Sequence, residues 1–376
     1  MKKLILICNA GSATLKFKLF DYSLNQIASG NFEKIGLPGS FLKINKRYKR
    51  FGRVKTHSQA LKHILNELRD NKQAIRLIGH RVVHGGEQFI KPTLVTKKVW
   101  HQIAKYNELA PLHNPSSLKV IQASFKILPK AQNIAVFDTA FYASLTPEQF
   151  LYALPYEFYR RHKIRRYGFH GISHKYVAGQ AAKKLNKPLT KINLITVHLG
   201  NGCSITAVKK GKPIATSMGF TPLEGLVMGT RSGNIDPALP LFIQRKFKLG
   251  YDKVEKILNK ESGLLGISGF TSDMREILKA AGYPVIDYHG RTKFTKQQKV
   301  RARLALKIFI TRLQNYISLY ASLLGSIQAI VFTGGIGERS SVIRQLAVQN
   351  LKIGKKTRVI KINADEELEI ARQIRR

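Results

Sequence analysis

Three apolar runs, far apart in the chain, each end in a turn built from glycine and small hydroxyl residues. Leu4 to Cys8 enters Asn9-Ala10-Gly11-Ser12-Ala13-Thr14 and reaches Lys16. Leu194 to Leu199 enters Gly200-Asn201-Gly202-Cys203-Ser204, and Ile330 to Phe332 enters Thr333-Gly334-Gly335-Ile336-Gly337-Glu338. Such turns let backbone N–H groups approach an anion closely, while hydroxyls and a lysine add donors and charge. The chemistry is that of a phosphate grip, and a nucleotide polyphosphate is its natural guest. Four other segments are dense in functional groups: Gly79-His80-Arg81-Val82-Val83-His84-Gly85-Gly86-Glu87, Phe137-Asp138-Thr139-Ala140, Gly168-Phe169-His170-Gly171 and Met228-Gly229-Thr230-Arg231-Ser232-Gly233.

The elements that must position these groups alternate short apolar strands with amphipathic helices, which argues for α/β architecture. Leu15 to Phe20 alternates in polarity after the first turn, and Ile205 to Val208 follows the second turn in the same way, so both read as β-hairpins and hint at an internal duplication. Ser58 reads as the cap of a helix carrying Leu61, Ile64, Leu65 and Leu68 on one face. Asn114-Pro115 opens another, proline being tolerated at the first helical position. Asp252 precedes a third, and a long apolar helix from about Lys299 to Leu324 leads into the third turn. The Leu154-Pro155-Tyr156 region is the expected passage between two domains, each large enough in a chain of 376 residues to bury its own core.

Composition narrows the class. Lys+Arg number 64 against 22 Asp+Glu, a formal net charge of +42. The excess is densest at Lys43 to Lys55 (with Lys46, Arg47, Lys49, Arg50 and Arg53), at Arg160 to Arg166 and at Arg291 to Arg303, but it forms no single stripe, so a nucleic-acid role is the minor reading. No run is long and apolar enough for a membrane span, and five apolar residues after Met1-Lys2-Lys3 are too few for a secretory h-region. Two cysteines, Cys8 and Cys203, beside separate turns, argue against a disulfide framework and point to a reducing cytoplasm.

From Asn9 to Glu366 the ordered set of motifs resembles the acetate kinase family, within the superfamily of actin and the sugar kinases. The resemblance implies a two-domain actin-like ATPase (acetate and sugar kinase) fold with a duplicated ββαβ-type core and a nucleotide cleft between domains. The expected divisions are residues 1–145, residues 146–366, and a short C-terminal helix at 367–376 returning toward the first domain. It implies reversible, Mg²⁺-dependent (Mn²⁺ as alternative) transfer of phosphate from ATP to acetate, giving ADP and acetyl phosphate, in a homodimer joined through the C-terminal domain. Kinases of propionate or butyrate are the alternative within the family, and a basic nucleic-acid-binding protein on an ATPase scaffold is the alternative outside it.

Residue by residue, the resemblance places Asn9 and Glu366 at the metal. It places Lys16, Ser12 and Thr14 at the nucleotide phosphates, together with His198, Leu199, Gly200, Asn201 and Gly202. Arg81 and Arg231 match the arginines that hold the carboxylate and the migrating phosphoryl group, anions that guanidinium forks fit bidentately. His170 matches a transition-state stabiliser. Asp138 matches the active-site aspartate, yet acetate, with a pKa of roughly 4, is already ionised at neutral pH and requires no base, so Asp138 is better cast as an orienter. Val83, Leu112, Phe169 and Pro222 match the methyl pocket, with His113 beside it. Asp273, Met274 and Arg275 match the adenosine contacts, as do Gly335, Ile336, Gly337, Glu338 and Arg339. Plain alternatives stand beside several of these: a solvent-facing strand lysine for Lys16, a helix cap for Asp273, an acidic first helical turn for Glu366. The chain departs from the family pattern at Ala13, Asn234 and Arg339. It also ends soon after Glu366, from which a looser packing of the last helix is expected.

Overall fold

The computed structural model describes residues 3–45, 47–111, 113–286, 288–354 and 356–375, with Asp70 described in its backbone alone. Leu112, expected in the methyl pocket, and Lys46, in the first basic run, lie outside the described residues. The chain divides into two compact units: Met1–Ala143 with His170–Lys175 and Asp365–Arg376, and Ser144–Phe169 with Tyr176–Ala364.

The first unit is organised by an eight-stranded sheet. Its strands are β1 (Leu4–Ala10), β2 (Leu15–Asp21), β3 (Gln26–Glu33), β4 (Phe41–Ile44), β5 (Arg47–Arg50), β6 (Ile75–Val82), β7 (Thr93–Leu94) and β8 (Gln132–Phe137), in the order β5-β4-β3-β2-β1-β6-β8-β7. Strand β1 is buried throughout because both faces are covered, which is why it reads as a continuous apolar run. Leu4, Leu6 and Cys8 point into one core with Leu61, Ile64 and Leu65 of helix His57–Glu67; Ile5 and Ile7 point into another with Ile370, Ala371 and Ile374 of helix Glu366–Ile374. This alternation is the period of two that a strand imposes. The last helix is therefore firmly seated, contrary to the looser packing expected from the chain end: a Cβ on Gly79 would lie 2.7 Å from Ile370 and 2.8 Å from Ile374.

The second unit carries β9 (Asn193–Leu199), β10 (Cys203–Lys209), β11 (Lys212–Thr216), β12 (Ala329–Thr333) and β13 (Arg358–Lys361), ordered β11-β10-β9-β12-β13. In both units the first strand pairs antiparallel with the second, β1 with β2 and β9 with β10, and parallel with a later one, β1 with β6 and β9 with β12. The run β3-β2-β1-β6-β8 thus repeats as β11-β10-β9-β12-β13, the duplication that the two hairpins suggested. Helix Lys296–Leu324 packs on β9 and β10, burying Ala302, Ala305, Phe309, Leu313 and Ile317 while Val300, Leu304, Leu319 and Leu323 stay exposed.

Helix starts follow local chemistry, with one correction. The cap of His57–Glu67 is Thr56, not Ser58: the Thr56 side chain accepts from the Gln59 N–H, and the Gln59 side chain accepts from the Thr56 N–H, a complete capping box. Asn114–Ile127 opens with proline in its first turn, and Tyr251–Lys260 carries Asp252 in its first turn after Gly250 as cap. Cys8 and Cys203 are free and buried, each thiol pushed up to about 12 by burial. Among the described residues no helix is long and apolar enough to cross a membrane.

Candidate active site

In the first unit, strand ends bring the functional groups together. Register pairs Cys8 with His80, so Asn9 and Arg81 emerge side by side where β1 and β6 end, and Asp138 follows directly on β8. Arg81 donates from Nη2 to Asp138 Oδ2 (2.7 Å), from Nη1 to Glu366 Oε2 (3.0 Å) and to Asn9 Oδ1 (3.3 Å). Asn9 Nδ2 in turn donates to Glu366 Oε2 (3.1 Å) and to Glu367 Oε1 (2.9 Å). Glu367 was not foreseen; its place directly after Glu366 in the first turn of a helix is the signal that could have found it.

Burial opposes the charge on Arg81, but Asp138, then Glu366 and Glu367, overcome it and hold the guanidinium pKa above its ordinary value. For Asp138 burial pushes the carboxyl up, against the downward pull of Arg81 and of the Ile172 N–H. With a guanidinium fork and a backbone donor on it, we assign the pair as charged. The segment after Arg81 is fixed by Asn114, which accepts from the His84 N–H (3.1 Å) and donates to the His84 carbonyl (3.0 Å), and by the Gly85 N–H on Thr139 Oγ1 (3.1 Å). Val83 is buried in this segment, and His113 immediately precedes helix Asn114–Ile127.

His170 sits at φ 55°, a left-handed conformation uncommon outside glycine, and opens the way to helix Gly171–Lys184. The next position tolerates only glycine, since a Cβ on Gly171 would lie 1.9 Å from the Asp138 carbonyl oxygen. The first glycine turn is closed by the Gly11 N–H on the Thr14 carbonyl (2.9 Å) and held from outside by His57 Nε2, which donates to the Gly11 carbonyl (2.8 Å). Ser12 and Lys16 are exposed and Thr14 half-buried; Lys16 pairs with Asn9 in register while Leu15 and Phe17 face the core.

In the second unit the second and third turns meet. Thr333 pairs with His198, and Gly334, at φ 77°, would place a Cβ 2.6 Å from the Leu199 carbonyl. The Gly200 N–H donates to the Gly202 carbonyl (3.0 Å), leaving Asn201 exposed at the tip. Glu338 Oε1 accepts from Thr333 Oγ1 (3.3 Å), the Gly334 N–H (3.0 Å) and the Ala364 N–H (2.8 Å), so its carboxylate shapes the third turn. Gly335, Ile336 and Gly337 lie in helix Gly334–Arg339, with Gly335 and Arg339 exposed. The loop of Arg231 lies near the second turn: a Cβ on Gly229 would lie 3.4 Å from the Ser272 carbonyl and 3.9 Å from that of Asn201. Asp273 caps helix Met274–Ala281 and pairs with Arg275 at 2.6 Å, while Met274 is buried.

Arg231 contrasts with Arg81. Its Nη1 donates to the Pro222 carbonyl (3.4 Å) and approaches Met228 Sδ (3.9 Å), and among the described residues no carboxylate pairs with it. Burial accordingly lowers its pKa, only partly opposed by Cys203. A half-buried guanidinium without an acid has donors available to an anion.

Fold and site define a phosphoryl-transferring enzyme of the actin-like ATPase fold. The chain belongs to the acetokinase family, whose model matches residues 4–373. An acetate kinase of Clostridium novyi is 45% identical over 358 residues, covering 92% of this chain and 86% of its own. The crystal structure of Porphyromonas gingivalis acetate kinase superposes with TM-score 0.87 at 37% identity, over 98% of each chain. That of a propionate kinase from Francisella tularensis superposes with TM-score 0.89 at 37% identity, over 99% of this chain and 98% of its own.

Proposed function

We propose that the enzyme transfers the terminal phosphoryl group of ATP reversibly to acetate, giving acetyl phosphate and ADP by direct in-line attack. The observation that carries this reading is the half-buried, acid-free guanidinium of Arg231. Transfer of a phosphoryl group needs charge neutralisation and alignment more than covalent help from the protein. Arg81 and Arg231 supply that charge to the carboxylate and the migrating group, and His170 donates to a phosphoryl oxygen. Asp138 keeps Arg81 aligned and takes no proton, because the attacking carboxylate is already an anion. The three turns, with Lys16, receive the nucleotide phosphates, and Phe169 and Pro222 offer apolar surface to the substrate's methyl group.

The oxygen-only donor set of Asn9 Oδ1 and the Glu366 carboxylate, with Glu367 on the same amide, suits a hard divalent cation. Mg²⁺, or Mn²⁺ in its place, would be held by Asn9 and Glu366 and would neutralise phosphate charge. The test is to trap the acyl phosphate as its hydroxamate after mixing enzyme, ATP, Mg²⁺ and acetate; absence of product sinks the reading. Propionate and butyrate, run in parallel, decide the second reading, which the likeness to a propionate kinase favours.

For the assembly we propose a homodimer through the second unit. Helix Ala238–Phe247 buries none of its residues, and Ile235, Leu239, Leu241, Phe242, Phe247 and Tyr251 are all exposed. An apolar surface of this kind on one stretch of chain marks an interface. Sedimentation should give twice the 42.4 kDa chain mass, and a Leu241→Glu/Phe242→Glu variant should give the single mass. Buried free thiols at Cys8 and Cys203 support a reducing compartment, the cytoplasm.

A further inference from the structure

Three side chains far from the glycine turns in sequence converge on one loop of the second unit. Glu224 Oε2 accepts from the Tyr152 hydroxyl (2.5 Å), and Glu224 Oε1 accepts from Arg166 Nη2 (2.5 Å). The same Tyr152 oxygen accepts from the Phe220 N–H (2.8 Å), and Arg166 Nη1 donates to the Thr216 and Met218 carbonyls (3.2 Å each). The three groups therefore satisfy one another and tie down the backbone on both sides of Gly219. That glycine has no room for a side chain: a Cβ would lie 1.6 Å from Glu224 Oε2 and 2.1 Å from the Tyr152 oxygen.

The tied backbone leads to the substrate-facing groups. The Gly219 carbonyl accepts from the Tyr167 N–H (3.0 Å) and the Gly168 N–H (3.3 Å), which fixes the approach to Phe169. Three residues beyond Gly219 stands Pro222, whose carbonyl accepts from Arg231. The far end of the loop is closed by Asn234, which accepts from the Gly225 N–H (2.7 Å), donates from its own N–H to the Gly225 carbonyl (2.9 Å), and donates from Nδ2 to the Tyr316 hydroxyl (2.8 Å). The neutral amide at Asn234, a departure from the family pattern, thus serves both as acceptor and as donor.

We propose that Tyr152, Glu224 and Arg166 are positioning residues for the carboxylate substrate: by holding the Gly219–Glu224 backbone they set where Phe169, Pro222 and Arg231 stand, and so set affinity for the acid and discrimination by its size. This rests on the carboxylate-kinase reading above. A network that only stabilised the fold would touch all substrates alike. A positioning network instead separates the acid from the nucleotide, because no ATP turn is built on this loop.

The experiment uses the full chain as wild type, Tyr152→Phe and Glu224→Gln, with steady-state kinetics on acetate, propionate and ATP. Loss of one charged hydrogen bond to the loop should raise KM for acetate about tenfold. KM for ATP should stay within about twofold, and the preference for acetate over propionate should shrink by about threefold, within the range a methylene allows. Glu224→Asp, which retains the charge, should recover part of the acetate affinity. Equal changes in the acetate and ATP constants, or unchanged acetate KM in both variants, overturn the proposal. Hydrogen exchange over residues 219–234 supplies a readout independent of turnover: faster exchange there in both variants is expected, and unchanged exchange overturns the proposal. If wild type phosphorylates no short carboxylate, the reading above fails by itself, and the exchange data still decide the loop.

Discussion

Arg81 grips Asp138 with two nitrogens, Nε reaching both carboxylate oxygens at 3.3 and 3.2 Å and Nη2 reaching Oδ2 at 2.7 Å. The Asp138 side chain is 1% exposed and that of Arg81 18%, so the carboxylate has no water to fall back on and the guanidinium little. Replacing Asp138 by alanine leaves the guanidinium with its main partner gone, which costs about 3–5 kcal/mol for a buried pair. Asp138→Ala should therefore lower the denaturant midpoint steeply and abolish turnover; Asp138→Asn should retain the fold better and still lose activity. A midpoint unchanged in Asp138→Ala would mean the pair is not the support described.

Arg231 should respond in the opposite direction. No carboxylate is orphaned when it is removed, so Arg231→Ala should leave unfolding stability equal or raise it, while turnover falls by about 10²–10³ as for loss of one transition-state donor. Paired melting and hydroxamate measurements on the two variants check the contrast. Stability losses of the same size in Asp138→Ala and Arg231→Ala would contradict it.

Gly171→Ala tests the backbone contact that seats the helix after His170. A methyl 1.9 Å from the Asp138 carbonyl must push either the helix or the strand end away. Turnover should be lost, with a destabilisation of about 1–3 kcal/mol typical of overpacking. Gly179→Ala in the same helix, where a Cβ would meet nothing within 4 Å, is the control and should match wild type.

Acid should destabilise the first unit through its buried histidines. Burial lowers His80 to about 4, although its bond to Asn133 pulls upward, and lowers His84 to about 3. Both start from 6.5, so between pH 6.5 and 4 the unfolded chain binds protons that the native chain refuses. Stability is therefore fully present above pH 6.5 and falls as pH drops, by about 2.7 kcal/mol per pH unit for two such groups. Urea titrations at several pH values measure this slope, and His80→Gln should reduce it by about half.

The hairpins, the last long helix and the Asp273 cap were legible because each is written in neighbouring residues: alternation of two, repetition near 3.6, a hydroxyl or carboxylate before the first turn. The cap at Thr56 was equally local, in Thr56 followed three places on by Gln59, and Ser58 only obscured it. Motif resemblance reached Asn9, Arg81, Asp138 and Glu366, which the first unit does bring together. Glu224 was not reachable in this way. Its partners lie 72 and 58 positions upstream, and which distant side chains share a loop is decided by packing rather than by any local pattern.

The repeated strand order gives each unit the same two corners: the turn after its first strand and the C-terminal end of the strand that runs parallel to it. In one unit the second corner holds Arg81, a side-chain cation ringed by acids; in the other it holds Gly334 and Gly335, where the Glu338 carboxylate accepts from the Gly334 N–H and closes the turn. One place in the strand order is thus built in two ways, from a side-chain cation and from a peptide turn. The first is selective, since a fork of fixed shape accepts only anions that match it. The second is a matter of backbone alone, its shape set by a carboxylate that comes from its own helix.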